Sequence, residues 1–305
     1  MEKEQRGNVE FIQKLQELIK TKKITQKEIA KQTGYSVAAI STYLNGRYAG
    51  NLETFEAEIE KFLSLFNQKS QYKRIKLKFE KTSIAKSLFT IARIAQFNSE
   101  IGLCFGHSGL GKTTAIKEYA KQQSGVIILD PDEKATPRAL LKQLAAALKM
   151  SDCNCLMEVF TADIVKKLKG SGKLIIIDES ENLSVEHFRV LRKIHDRCDF
   201  TIGMLFVGTY TLYNNLVKLQ GEYNYIKNRI CYVESLEKME HEDVKLLVSQ
   251  VYPNSSEEII NSFAQYSDCN ARVLFNMMKR INDLIICNGD TLSSELVCKS
   301  RQLLL

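Results

Sequence analysis

No apolar run in this sequence approaches the 18 or more residues of a membrane-spanning helix, so no membrane partner is expected. No apolar stretch follows the charged opening Met1-Glu-Lys-Glu-Gln-Arg6. A secretory signal is therefore not read there, and a cytoplasmic location is expected. No C-x-x-C pair occurs among the eight cysteines at 104, 153, 155, 198, 231, 269, 287 and 298. Cys153 and Cys155 are the closest pair, and their spacing does not suit a zinc knuckle. Reduced, mostly buried thiols are the simplest expectation. Internal repeats and low-complexity segments are also missing.

What is present is an ordinary globular composition, 44% hydrophobic and 26% charged over 305 residues, enough for two or three domains. The net charge of +7 is uneven: residues 1–81 hold 16 Lys+Arg against 10 Asp+Glu, and the rest of the chain is nearly balanced. Lys69, Lys73, Arg74, Lys76, Lys78 and Lys81 crowd one stretch, with Tyr72 and Phe79 between them. Basic residues interleaved with aromatics suit a polyanion surface; a solvated linker explains them equally well.

The most specific string is Gly106-His107-Ser108-Gly109-Leu110-Gly111-Lys112-Thr113-Thr114, a complete G-x-x-x-x-G-K-[ST] phosphate-binding loop. The glycines let the backbone curl so that its N–H groups meet phosphate oxygens. Lys112 is placed to reach the β and γ phosphates, and the Thr113 hydroxyl to ligate Mg²⁺. An apolar strand at 101–105 precedes the loop and a helical run at 114–121 follows, so a helix N-terminus faces the phosphates. ATP and Mg²⁺ are therefore the expected cofactors. About 65 residues downstream, Leu174-Ile-Ile-Ile177 runs into Asp178-Glu179. Four apolar residues suit a strand buried on both faces, delivering the carboxylates to the end where α/β sheets bind ligands. Asp178 is expected to hold the cation, and Glu179 to polarise the attacking water.

Around these motifs, helical periodicity at 8–20 is followed by Thr25-Gln-Lys-Glu28, a capping box that opens a second helix. Gly34 ends that helix, and Ser36 caps a third that stops at Asn45-Gly46. Helix, short glycine turn and helix form a helix-turn-helix. The small polar face of the third helix, Ser36, Ser41 and Thr42, with Arg47 beyond it, suits a DNA major groove. Docking of a protein is the other reading. An amphipathic helix over 52–66 completes this domain. From about residue 84, helices alternate with strands at 126–129, 174–177, 201–207 and 230–233, which predicts an α/β fold with a parallel, doubly wound sheet. From Ser235 the pattern is helical throughout, including a capping box at Ser255-Ser-Glu-Glu258 and a long helix over 271–287.

With both motifs on this alternation, the chain resembles the AAA+ ATPases. The resemblance implies roles for three further residues. Thr209, ending the fourth strand, takes the place of the polar sensor of the γ-phosphate. Arg229, before the fifth strand, takes that of the arginine finger that reaches a neighbouring subunit's ATP. Arg272, in Asn270-Ala-Arg-Val-Leu274, resembles the sensor-2 arginine of the lid. Within that superfamily the chain is similar to the target-capture ATPases of the phage Mu B family. The matching strings are Ile29-Ala-Lys-Gln-Thr-Gly-Tyr-Ser36, Ile40-Ser-Thr-Tyr-Leu-Asn-Gly-Arg-Tyr48, the phosphate loop with Ala115-Ile-Lys-Glu-Tyr119, and Ile176-Ile-Asp-Glu-Ser-Glu-Asn-Leu183. Thr209 stands where asparagine is more usual.

That resemblance implies an ATPase that assembles as a helical filament or ring on double-stranded DNA without strong sequence preference, activates a transposase, and is released by hydrolysis. It further implies DNA contacts near Lys134, Arg138 and Lys142 and near Arg189, Arg192 and Lys193. The expected division is a helix-turn-helix domain (1–66), a basic linker (67–83), a nucleotide-binding core (84–234) and a helical lid (235–305). A helicase loader or replication-initiation ATPase, and an ATP-switched transcriptional regulator, are the competing readings. No acidic triad of a nuclease or transposase is visible outside the ATP site.

Overall fold

The computed structural model describes residues 7–21, 23–71, 75–151, 155–218 and 224–304, which form two compact units, Met1–Arg74 and Ile75–Leu305.

The first unit is α1 (Val9–Lys20), α2 (Gln26–Thr33), α3 (Val37–Leu44) and α4 (Leu52–Gln71). Each start has a local cause. The Asn8 side chain accepts from Glu10 N–H and Phe11 N–H, the Thr25–Glu28 capping box opens α2 as expected, and the Ser36 side chain accepts from Ala39 N–H to open α3. Ile12, Leu15, Ile29, Ile40, Tyr43, Phe55 and Ile59 fill the core of this unit. The α4 helix runs five residues past the expected boundary at 66.

The second unit opens with an extended segment and α5 (Ser83–Asn98), then β1 (Ile101–Gly106), α6 (Lys112–Gln122), β2 (Val126–Leu129), α7 (Pro137–Ala147), α8 (Met157–Leu168) and β3 (Leu174–Ile177). After a 3₁₀ turn at Ser180–Asn182 come α9 (Val185–Arg197), β4 (Gly203–Gly208), α10 (Tyr210–Lys218), α11 (Asn224–Lys227) and β5 (Ile230–Leu236). Four helices close the chain: α12 (His241–Ser249), α13 (Glu257–Ser267), α14 (Ala271–Asn288) and α15 (Ser294–Gln302). The sheet is parallel throughout, in the order β2-β3-β4-β1-β5. β1, β3 and β4 are buried along their whole length, as a sheet covered on both faces requires. Two apolar clusters fill its two sides, one with α5, α6 and the C-terminal helices, the other with α7, α8 and α9.

Two sequence expectations are corrected, at the end of β5 and at the start of α13. Strand β5 continues to Leu236, which pairs with Gly106, so the helical region begins after it. α9 starts at Val185 because Ser184 and His187 cap one another: the Ser184 N–H donates to His187 Nδ1 at 3.2 Å. Ser256, not Ser255, caps α13, accepting from Ile259 N–H, while the Ser255 hydroxyl is spent on Tyr252 O.

The basic stretch also reads differently. Residues 67–71 belong to α4; Tyr72, Lys73 and Arg74 lie outside the described residues, as does the Lys69 side chain. From Ile75 the chain is extended, with Ile75, Leu77 and Phe79 packed on the second unit's core and Lys76 and Lys78 outward. The alternation is that of a half-buried strand. Among the described cysteines, Cys104 and Cys198 are buried and Cys231 and Cys287 exposed, while Cys153 lies outside the described residues. Among the described residues no helix is long and apolar enough to cross a membrane.

Candidate functional site

The loop between β1 and α6 takes its shape from backbone that only glycine adopts freely. Gly109 sits at φ +84°, and a Cβ there would lie 2.5 Å from Asn270 Oδ1. Gly111, at φ +90°, immediately precedes α6 and offers no side-chain cap. The first N–H groups of α6 therefore have no partner from the cap residue and are disposed for an anion. Lys112 folds back along the loop, donating from Nζ to Gly106 O at 2.9 Å and His107 O at 2.8 Å. Burial lowers the Lys112 pKa, opposed first by the nearby Glu181.

The buried end of β3 meets this loop. Thr113 Oγ1 donates to Asp178 Oδ2 at 2.7 Å, and Asp178 Oδ1 accepts the Glu179 N–H at 3.0 Å. Asp178 is buried, which raises its pKa against the pull of those two hydrogen bonds. Glu179 occupies the left-handed region (φ 48°, ψ 41°), uncommon for a residue with a side chain and a conformation found where geometry is held for function. Its carboxyl pKa is raised, first by desolvation and then by Asp130, Asp178 and Glu181.

Behind Glu179, three consecutive side chains fasten the turn to three strand ends. Ser180 Oγ donates to Ile177 O at 2.7 Å, Glu181 Oε2 accepts the Thr209 N–H at 3.2 Å, and Asn182 Nδ2 donates to Pro131 O at 3.1 Å. Thr209 is thereby held at the mouth, its own hydroxyl accepting from Thr211 N–H at 3.3 Å.

The fourth wall is the start of α14. Asn270 Oδ1 caps that helix, and its Nδ2 donates to Ser108 O at 2.8 Å. Arg272 N–H donates to Gly109 O at 2.9 Å, and Arg272 Nη1 to Ser108 Oγ at 3.1 Å.

Many of these residues line a cavity of about 650 Å³, a size that suits a nucleotide. Ser108 to Thr114, Asp178, Glu179, Thr209 and Arg272 are all in its wall, as read from sequence. His107 is not; its ring lies 4.8 Å from that of Tyr210. Gly106 closes β1 beneath the loop. Sequence reasoning missed the apolar part of the cavity wall, Leu77, Phe79, Met239, Leu247 and Phe275. The signal was the alternation Ile75-Lys-Leu-Lys-Phe79, masked by its lysines. Glu181 was also missed.

The hydroxyl of Thr113 and the carboxylate of Asp178 are hard oxygen donors, a set that fits Mg²⁺ bound mainly through phosphates and water. Among the described residues no group of three or more His, Cys, Asp or Glu forms a metal cage of its own.

Arg229 is elsewhere. Its Nη2 lies 3.4 Å from Asp196 Oδ1, its guanidinium 5.4 Å from the Phe200 ring, and it takes no part in the cavity of its own chain. Asp196 also accepts from Arg192 Nε at 3.2 Å.

The candidate DNA contacts fall into three groups. On the first unit, Ser36, Thr42 and Arg47 are exposed and Ser41 half-buried, on and around α3; the Ser36 hydroxyl is occupied in capping. After β2, Lys134 and Lys142 are exposed, whereas Arg138 is half-buried, donating to Cys155 O at 3.0 Å with its guanidinium 5.7 Å from the Phe160 ring. On α9, Arg189 pairs with Glu186, Arg192 with Asp196, and Lys193 with Glu158 at 3.6 Å. Arg189, Arg192 and Lys193 border a shallow groove with Arg197.

Residues 95–216 match the family model of an AAA domain, and residues 14–57 that of a Cro/C1-type HTH DNA-binding domain. The chain carries an AAA domain and is an ATPase. Over 81% of its length the ATPase is 27% identical to the Mu-like prophage FluMu DNA transposition protein B of Haemophilus influenzae, covering 87% of that protein. It is 26% identical to the ATP-dependent target DNA activator B of Escherichia phage Mu, over 80% of this chain and 78% of that one. The resemblance to the Mu B family thus spans about four-fifths of the ATPase. Its fold is similar to that of Cdc6p from Pyrobaculum aerophilum, with a TM-score of 0.58 at 16% identity over 77% of this chain and 71% of that chain.

Proposed function

We propose that this ATPase assembles on double-stranded DNA with little sequence preference, presents that DNA to a transposase, and leaves it when ATP is hydrolysed. The observation that carries the reading is the position of Arg229. The chain supplies a phosphate loop, two acidic residues, a sensor position and a lid arginine around one cavity, while Arg229 stays outside it, paired with Asp196. A neighbouring copy supplying Arg229 completes the site, so hydrolysis depends on assembly. The names of the similar proteins, a transposition protein and a target DNA activator, support the same role.

Each residue then has a task. Backbone N–H groups of residues 108–114 and Lys112 hold the triphosphate. Thr113 and Asp178 hold Mg²⁺, which neutralises phosphate charge when bound. Glu179 orients the attacking water and takes its proton, Thr209 faces the γ-phosphate, and Arg272 joins lid to phosphate loop. The neighbour's Arg229 stabilises the charge that develops on the transferred phosphoryl group. Lys134, Lys142, Arg189, Arg192 and Lys193, with Arg138 beside them, border the DNA path of the core, and Ser36, Ser41, Thr42 and Arg47 that of the first unit. Such contacts are made to phosphates and need no base reading. The division into a helix-turn-helix domain, core and lid follows these tasks.

Electron microscopy of the chain with long duplex DNA and a non-hydrolysable ATP analogue tests the proposal. Continuous filaments or stacked rings that need the analogue support it. The Cro/C1-type match favours one second reading, an ATP-switched transcriptional regulator. Discrete particles at one preferred sequence would choose that reading instead.

A further inference from the structure

The two strand ends that carry the chemistry are joined beyond the sheet by one side chain. The β3–β4 ladder stops at Ile177 opposite Phe206, so Asp178 and Glu179 on one side and Thr209 on the other lie past its last pair. Among the described residues a single hydrogen bond joins residues 178–182 to residues 207–211, from the Thr209 N–H to Glu181 Oε2 at 3.2 Å.

Glu181 can hold its place because both of its neighbours are fastened. Ser180 Oγ donates to Ile177 O, and Asn182 Nδ2 donates to Pro131 O. Thr209 passes the hold on to α10. Its carbonyl accepts the Leu212 N–H at 3.1 Å, and its hydroxyl accepts the Thr211 N–H.

Gly208 leaves room for this contact. Its φ is not in the left-handed region, so glycine is not required there by backbone conformation. Space requires it: a Cβ at 208 would collide with Glu181 Oε2 and lie 2.9 Å from Leu212 Cδ2. Glu181 also lines the cavity, and it is the first of the charges that offset the effect of burial on Lys112. A further negative charge beside bound phosphates opposes their binding, so its presence there calls for another task.

We infer that Glu181 is a positioning residue for hydrolysis: by holding the Thr209 backbone it sets the sensor hydroxyl against Glu179, and Gly208 admits its carboxylate. Reacting groups must be held to a fraction of an ångström, and nothing else ties these two strand ends together past the ladder. Glu181 acts through Thr209 and takes no proton itself. This rests on the reading of the cavity as the ATP site with Glu179 as base, and it gives a task to a residue which that reading leaves idle.

The test is single-turnover hydrolysis of ATP by the full chain on long duplex DNA, with ATP affinity from filter binding and a thermal melt of each variant. Glu181→Ala slows hydrolysis about 10- to 100-fold, while ATP affinity changes by less than about 3-fold. Glu181→Gln keeps an oxygen acceptor for the Thr209 N–H and regains most of the lost rate. Gly208→Ala slows hydrolysis as Glu181→Ala does, and the double variant is no slower than Gly208→Ala alone, because both changes remove one contact. Gly208→Ala and Glu181→Gln carry the test if Glu181→Ala does not fold. A Glu181→Ala or Gly208→Ala variant as fast as wild type overturns the inference. So does a Glu181→Gln variant as slow as the alanine variant, which would make the charge the working feature, or losses that multiply in the double variant. Unimpaired hydrolysis by Glu179→Gln would overturn the underlying reading of the site, and the inference with it.

Discussion

Thr113 on α6 and Asp178 at the end of β3 are 65 positions apart in sequence and share a hydrogen bond of 2.7 Å. A hydroxyl and a buried carboxylate in direct contact are the pair that would hold Mg²⁺ in the proposed site. Thr113→Ala and Asp178→Asn are each expected to lower Mg²⁺-dependent hydrolysis by on the order of 10²-fold or more. Lys112→Ala is expected to abolish retention of ATP in a filter-binding assay. ATP-dependent assembly on DNA by the Lys112 variant would contradict the site.

Glu179 is held in strained backbone with a carboxyl pKa raised by desolvation and by three neighbouring acids. Glu179→Gln is expected to cut hydrolysis by about 10²- to 10⁴-fold while ATP stays bound, so that DNA complexes persist. The pH sign follows from the direction of the shift. A general base works deprotonated, and a raised pKa keeps it protonated to higher pH. Hydrolysis should therefore fall on acidification while the pH is still above the ordinary glutamate value, and the Gln variant should lose that limb. An acid limb unchanged in Glu179→Gln would assign it to another group.

Arg229 and Asp196 form an ion pair at 3.4 Å, with Arg192 on the same carboxylate. If Arg229 acts on a neighbour's ATP, Arg229→Ala should reduce DNA-stimulated hydrolysis by roughly 10³-fold or more with ATP affinity unchanged. Mixing that variant with Glu179→Gln should restore part of the activity, because some interfaces then combine an intact Glu179 with an intact Arg229. Mixtures with only the summed residual rates would place Arg229 outside catalysis.

The site was legible where chemistry forces a local string. Gly109 and Gly111 need positive φ, Lys112 and Thr113 need the helix start, and Asp178 needs a buried strand end; each requirement leaves its mark within a few residues. The strand order β2-β3-β4-β1-β5 and the approach of Asn270 and Arg272 to Ser108 leave none, because they arise from packing between separate segments, 162 residues apart for Asn270 and Ser108. The stretch at 75–81 was misjudged for a specific reason. Lys76, Lys78 and Lys81 dominate its charge, while Leu77 and Phe79, which line the cavity, leave no comparable mark. Glu181 was passed over because its partner is a backbone N–H at the end of another strand. The shift from Ser255 to Ser256 at the start of α13 reflects two adjacent serines, of which Tyr252 O takes the first.

The same physics separates candidate DNA contacts that sequence treated alike. Lys134 is exposed in the loop after β2, with no partner among the described residues. Arg138, four positions on, has its guanidinium engaged by Cys155 O and the Phe160 ring. A side chain committed to its own fold has less to give a phosphate. Lys134→Ala should reduce the salt dependence of duplex binding by about one contact, a change of roughly 0.9 in the slope of log affinity against log salt, with the melting temperature unmoved. Arg138→Ala should do the opposite, costing about 1–2 kcal/mol of stability through the lost charged hydrogen bond and ring contact and leaving the slope nearly intact. Binding isotherms at several salt concentrations, with thermal melts of the same samples, measure both quantities. Equal slope changes for the two variants would mean that Arg138 leaves Cys155 when DNA arrives, and the loop after β2 would then rearrange on binding.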